Sequence, residues 1–160
     1  MLVRGLAVAA AVVILDQLSK AAVLGHFAGD AFVGERITPF FNLVLVYNRG
    51  VSFGLFNAGA GSDVGFNALL FSLVAAVVVV GLVYWLRRVS SPLLSIAIGL
   101  IVGGAIGNVV DRIRLGAVVD FLDFHIALWH WPAFNFADSA ICVGIAAMLL
   151  DGLLLHREAR

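Results

Sequence analysis

Four runs of mostly apolar residues, 5–25, 67–86, 92–110 and 138–155, divide the chain. Each comes close to the roughly 20 residues an α-helix needs to cross the hydrocarbon core of a bilayer. In lipid the backbone must satisfy its own hydrogen bonds, so runs of this length are expected as helices. Composition agrees: 62% of residues are hydrophobic and only 12% charged, against about 25% charged in a typical soluble domain. Mean hydropathy is +1.08. The expected fold is an integral membrane protein, mainly α, with four transmembrane helices in a single membrane domain over residues 1–160. A formal net charge of zero leaves no basic footprint for nucleic acid. The single cysteine, Cys142, rules out a disulfide within the chain and a thiolate metal cluster, and its place in an apolar run suits a packing residue.

The first run differs from a removable secretory leader because Asp16 and Lys20 interrupt it and apolar residues resume beyond them. It is read as a retained helix. Arg4 precedes it, Arg87 and Arg88 join the second and third runs, and Arg157 and Arg160 follow the fourth. Short basic flanks stay on the cytoplasmic side, so both termini are expected there. The longer connections, 26–66 and 111–137, are then expected to face outward. Within them "RITPFFNLVLVYNRGVSFGLF" reads as two short strands broken at "YNRG", giving a small extracytoplasmic β-rich segment. "FLDFHIALWHWP" spaces Leu122, Ile126 and Trp129 as a short interfacial helix would, with Pro132 to stop it. Trp85, Trp129 and Trp131 suit the aromatic belts at membrane surfaces.

Ionisable groups inside a bilayer are costly, and they mark function by default. Here they gather at one level. The third run ends in "GGAIGNVVDR" and the fourth opens on "FNFADS", so Asn108, Asp111, Arg112, Asp120, Asn135 and Asp138 crowd the expected outer boundary. Asp16 and Lys20 lie four residues apart on one helical face, the spacing of an intramembrane ion pair. The glycines of "GGAIG" suit close helix packing rather than phosphate binding, because no P-loop lysine follows. His125 and His130 lack a third ligand at zinc spacing. The carboxylates remain. Two of them held close together share a proton, so that one takes a proton from water while the other polarises a carbonyl. Asp138 is one candidate member; its partner is Asp111, Asp120 or Asp123, and spacing does not separate Asp120 from Asp123.

Four blocks, "DQLSK", "NRGVSFG", "GGAIGNVVDRIRLGAVVDF" and "FNFADSA", stand in an order that resembles lipoprotein signal peptidase, or signal peptidase II. The resemblance spans nearly the whole chain. It implies an aspartic endopeptidase of the bacterial cytoplasmic membrane, acting near the outer face on diacylglyceryl-modified prolipoproteins. Cleavage would fall on the N-terminal side of the lipidated lipobox cysteine. The aspartates of "VVDF" and "FNFAD", Asp120 and Asp138, resemble the catalytic dyad. Asn48, Asn108, Arg112 and Asn135 resemble the polar set that contacts substrate or orients the dyad, and Asp16, Lys20 and Asp111 the structural support. The resemblance implies no metal or cofactor and inhibition by globomycin-type compounds; membrane lipid is the expected surroundings and a monomer the expected state. The "YNRG" loop and the "FLDFHIALWHWP" segment are expected to flank the cleft and clamp the substrate. A proton-coupled transporter is the rival class, opposed because the ionisable groups collect at one face and the inner halves of the second and third runs offer no polar path. A non-catalytic scaffold is another, with the aspartates merely structural.

Overall fold

The computed structural model describes residues 1–28, 34–50 and 64–158. Four helices dominate: α1 (Leu2–His26), α2 (Val64–Leu86), α3 (Pro92–Leu115) and α4 (Phe136–Glu158). All four are long and apolar enough to cross a membrane. Their outer faces carry Leu18, Val77, Val80 and Leu149, each more than half exposed. In water such a surface would drive aggregation; in a bilayer it meets its natural solvent.

Helix α3 is the hub and packs against the other three. Glycines make this possible. A Cβ on Gly103 would lie 2.6 Å from the Ala9 carbonyl oxygen, and one on Gly107 would lie 2.5 Å from Asp16 Oδ2. Small residues let membrane helices approach to backbone contact, which replaces the hydrophobic drive that lipid cannot supply. Helix α1 runs parallel to α3, with Ser95 Oγ donating to the Met1 carbonyl at 2.9 Å. Helix α4 runs antiparallel, and Ser91 Oγ at the start of α3 donates to Asp151 of α4. Ser91 also caps α3, accepting the Leu94 N–H at 3.2 Å just before Pro92. At its other end α3 stops at Gly116, whose φ of 70° suits a residue without a Cβ.

A four-stranded antiparallel sheet sits at the end of the bundle where α1 and α3 finish and α4 begins. Its order is β1 (Gly34–Thr38), β2 (Phe41–Asn48), β3 (Val118–Ile126), β4 (Trp129–His130). Strand alternation sends Val119 and Phe121 to one face, where with Leu45 they close on Val23 and Phe27 from the end of α1. Asp120, between them, faces the other way.

Three expectations change. The segment expected as a short interfacial helix is β3, a turn and β4; Ala127 at φ 52° makes the turn. Leu122 and Ile126 fit helical spacing, but with Phe124 they also fit strand alternation. Pairing with β2, Phe41 opposite Phe124 and Asn42 opposite Asp123, decides the matter. β2 ends at Asn48, within "YNRG", where a break was expected, but the strand expected ahead of it is divided at Pro39 into β1 and β2, because proline has no N–H for the ladder. The strand expected beyond Gly50 lies outside the described residues. Finally, α3 runs on to Leu115, so Asp111 and Arg112 belong to its last turns and not to a loop.

Candidate active site

The start of α4 is built by a capping box. Asn135 precedes the helix, and its Oδ1 accepts the Asp138 N–H at 2.9 Å while Asp138 Oδ2 accepts the Asn135 N–H at 3.2 Å. Two orphan donors of the helix start are thereby satisfied. The same exchange fixes the Asp138 carboxylate at the helix mouth, where the α4 dipole favours negative charge.

Asn135 also reaches the second carboxylate. Its Nδ2 donates to Asp120 Oδ1 at 2.7 Å and to Asn108 Oδ1 at 3.3 Å. Asn48, at the end of β2, donates from Nδ2 to Asp120 Oδ2 at 3.0 Å. Asn108, on α3, donates to Asp138 Oδ1 at 2.8 Å. Three asparagine amides from three elements thus hold the buried Asp120 carboxyl and the half-buried Asp138 carboxyl. Asp120 is pushed up to about 7, first by burial and then by the charge of Asp138. The bonds from Asn48 and Asn135 and the Lys20 charge act the other way.

Beneath this pair lies an ion cluster. Lys20 Nζ meets Asp16 Oδ2 at 2.9 Å, Asp111 Oδ2 at 2.7 Å and Asn108 Oδ1 at 3.1 Å, using all three of its hydrogens. Asp16 Oδ1 accepts the Ala137 N–H at 3.0 Å, which ties α1 to the first turn of α4. Asp111 Oδ2 accepts the Val119 N–H at 3.1 Å and so ties α3 to β3 one residue from Asp120. The cluster locks four elements together just behind the carboxyl pair. Because Lys20 holds Asn108 Oδ1, the Asn108 Nδ2 is left to face Asp138.

Of the residues singled out in the sequence, Asn48, Asn108, Asn135, Asp120 and Asp138 therefore come together in one network, with Asp16, Lys20 and Asp111 adjoining it. Arg112 stands at the margin: it donates from Nη2 to the Gly50 carbonyl at 3.4 Å and lies 5.6 Å from the Phe71 ring centre on α2. Asp123 is absent from the network. It pairs with His130 Nδ1 at 2.9 Å and accepts from Asn42 at 2.8 Å. Burial would raise it, but these two bonds together with the charges of His130 and His125 outweigh that and keep it below the ordinary carboxylate value. Spacing left Asp120 and Asp123 undivided; in the structure Asp120 shares Asn135 with Asp138, and no bond links Asp123 to Asn135.

Gln17 was missed. Its Nε2 donates to Asp111 Oδ1 at 2.9 Å, and its Oε1 accepts from Arg114 at 3.2 Å. An amide within an apolar run needs partners, and that was the available signal. A cavity of about 310 Å³ opens onto the carboxyl pair, lined by Asn48, Asp120, Asp138, Trp131, Phe134 and Cys142 among others. Cys142, expected as a packing residue, is exposed there. Among the described residues no three His, Cys, Asp or Glu side chains gather as metal ligands.

The signal peptidase II family model matches residues 8–154. This chain belongs to the signal peptidase II family. It is 48% identical over 150 residues to the lipoprotein signal peptidase of Burkholderia thailandensis, covering 93% of this chain and 87% of that protein. The Paraburkholderia phymatum lipoprotein signal peptidase is 48% identical over 156 residues, covering 97% and 90%. Two solved structures described as bacterial membrane enzymes superpose with TM-scores of 0.81 and 0.78 at 26% and 27% identity. They cover 98% and 93% of this chain, and 91% and 92% of theirs. Membership in signal peptidase II makes the chain a membrane protease.

Proposed function

We propose that this signal peptidase II family member cleaves lipoprotein precursors by activating water between Asp120 and Asp138. The observation that carries the reading is the bridge by Asn135, which touches both carboxyl groups, and these two line one cavity. The pair holds one proton near neutral pH, since two adjacent carboxylates resist double ionisation. The ionised member takes a proton from water as the oxygen attacks the scissile carbonyl, and the protonated member donates to that carbonyl oxygen. Collapse of the tetrahedral intermediate sends a proton to the leaving amine and returns the pair to its starting state. The proton belongs to the pair rather than to one residue.

The substrate is the precursor whose lipobox cysteine carries a diacylglyceryl group, cut on the N-terminal side of that cysteine. An enzyme of four lipid-facing helices receives such a substrate laterally, from within the bilayer. The peptide must be extended at the cut, which leaves amides unsatisfied where water is scarce. Asn48 and Arg112 supply partners at the cavity edge. The enzyme works as a monomer in the bacterial inner membrane, with both termini cytoplasmic and the carboxyl pair near the outer face. Globomycin-type inhibitors occupy the same cleft. The reading is tested by incubating the purified protein with a diacylglyceryl-modified precursor and its unlipidated twin. Mass spectrometry should find the released signal peptide and a lipidated cysteine at the new N-terminus only for the first. Equal cleavage of the twin would contradict the substrate assignment.

A further inference from the structure

The catalytic face of β3 does not end at Asp120. Successive strand residues point to opposite faces, so Asp120, Leu122, Phe124 and Ile126 share one face of β3. Six residues at about 3.3 Å each carry that face roughly 20 Å from the carboxyl pair to the tip of the hairpin. Beyond Asp120 every side chain on it is apolar.

A second cavity, of about 510 Å³, lies at the far end of this track. Its walls include Phe40, Phe124, Ile126 and Trp129, with His125 the one polar side chain among them. Trp131 and Phe134 line both this cavity and the one over Asp120 and Asp138, so the two spaces are neighbours with common walls. The aromatic rings are stacked into a continuous surface: Phe41 lies 4.9 Å from Phe124, and Phe124 lies 5.9 Å from Phe134. The track then opens at Ile126, Leu128 and Trp129, which are 77%, 97% and 60% exposed. An occupant held here is therefore apolar, long and narrow, begins beside the scissile bond and finishes at a surface suited to lipid.

We infer that the β3 track and its aromatic cavity form the subsite for one acyl chain of the substrate's diacylglyceryl group. The chain is anchored on the residue next to the cut, passes Trp131 and Phe134, lies along Phe124 and leaves over Ile126 toward the bilayer. The subsite rests on the proteolytic reading above. It accounts for a feature that reading leaves unused, the run of apolar side chains on the catalytic face of a strand outside the membrane-spanning helices.

Two precursors of one sequence, bearing dipalmitoyl or dihexanoyl glyceryl groups, test the inference. Ile126→Asn and Trp129→Gln alter exposed positions and leave the carboxyl pair untouched. Each should raise KM for the dipalmitoyl precursor by about tenfold, the size expected for lost apolar burial. The dihexanoyl KM and both kcat values should stay at the parent's. Equal changes for both precursors, or no change for either, would overturn the subsite while leaving the proteolytic reading intact. If the parent protein cuts neither lipidated precursor, the proteolytic reading itself falls, and the subsite with it. A diazirine at the acyl terminus of the dipalmitoyl precursor, with either variant or the parent, should label residues 124–131. Labelling confined to α2 or α4 would overturn the inference. So would labelling of 124–131 by a diazirine phosphatidylcholine that excess precursor fails to compete, which marks ordinary lipid contact.

Discussion

The side-chain oxygen of Asn135 accepts the backbone N–H of Asp138 at 2.9 Å, and the Asp138 carboxylate accepts the Asn135 N–H at 3.2 Å. A helix cap and one half of a carboxyl pair are thus the same piece of chemistry. Asn135 has in addition an amide that no cap requires, and it donates this to Asp120.

These two duties separate by substitution. Asn135→Ser keeps a side-chain oxygen for the cap but removes the amide donor, so stability in detergent should stay within about 0.5 kcal/mol of the parent. Turnover should still fall by roughly a hundredfold, the scale for losing a positioned donor at a reacting group. Asn135→Ala should lose the same turnover and also about 1 kcal/mol of stability. Thermal unfolding and cleavage rates of the two variants, measured side by side, check this.

The pH profile follows from Asp120, raised to about 7 by burial and the neighbouring Asp138 charge. A pair that needs one proton loses activity as that proton leaves, so kcat/KM should decline as pH rises through about 7. The Asn48 bond favours the ionised form of Asp120 and lowers its value. Asn48→Ala should therefore move the alkaline limb upward, by about one pH unit for a hydrogen bond to a charged group. A downward move would show that Asn48 acts otherwise. Stability carries the same sign: with its folded value above the unfolded 3.8, Asp120 favours folding most below pH 3.8. That contribution is lost as pH rises through about 7.

Among the described residues Lys20 is the cation that pairs with both Asp16 and Asp111, and both are buried. Lys20→Met leaves two carboxylates facing each other without it and should cost about 3–5 kcal/mol. Adding Asp111→Asn to Lys20→Met should recover part of that loss, because one buried charge goes with its partner. Chemical unfolding of the parent and the two variants in detergent measures both effects.

Gly107 faces Asp16 Oδ2 so closely that a methyl group has no room. Gly107→Ala should push Asp16 away from the Ala137 N–H and destabilise the protein by about 1–3 kcal/mol. Gly152, where a Cβ would meet nothing within 4 Å, should accept alanine with little change, and the same unfolding assay compares the two.

Much of this arrangement was legible before any coordinates. Hydropathy gave the four helices, since lipid leaves the backbone few alternatives, and the crowding of polar residues at two helix ends located the site. Spacing alone left the partner of Asp138 open, because Asp120 and Asp123 both lie near and spacing says nothing about which face of a strand each occupies; the family resemblance pointed to Asp120. The segment around Leu122 and Ile126 misled for a related reason: over a few residues, apolar positions four apart satisfy both a helix and a strand. Gln17 escaped notice because its meaning lies in contacts with residues 90 and 94 positions away.

The central claim is that Asp120 and Asp138 together perform the hydrolysis. Asp120→Asn and Asp138→Asn, purified in detergent and assayed by gel shift on a diacylglyceryl-modified precursor, address it directly. Each should abolish cleavage while the protein remains folded and still binds the precursor. Cleavage at the parent's rate by either folded variant would remove that residue from the pair and contradict the account.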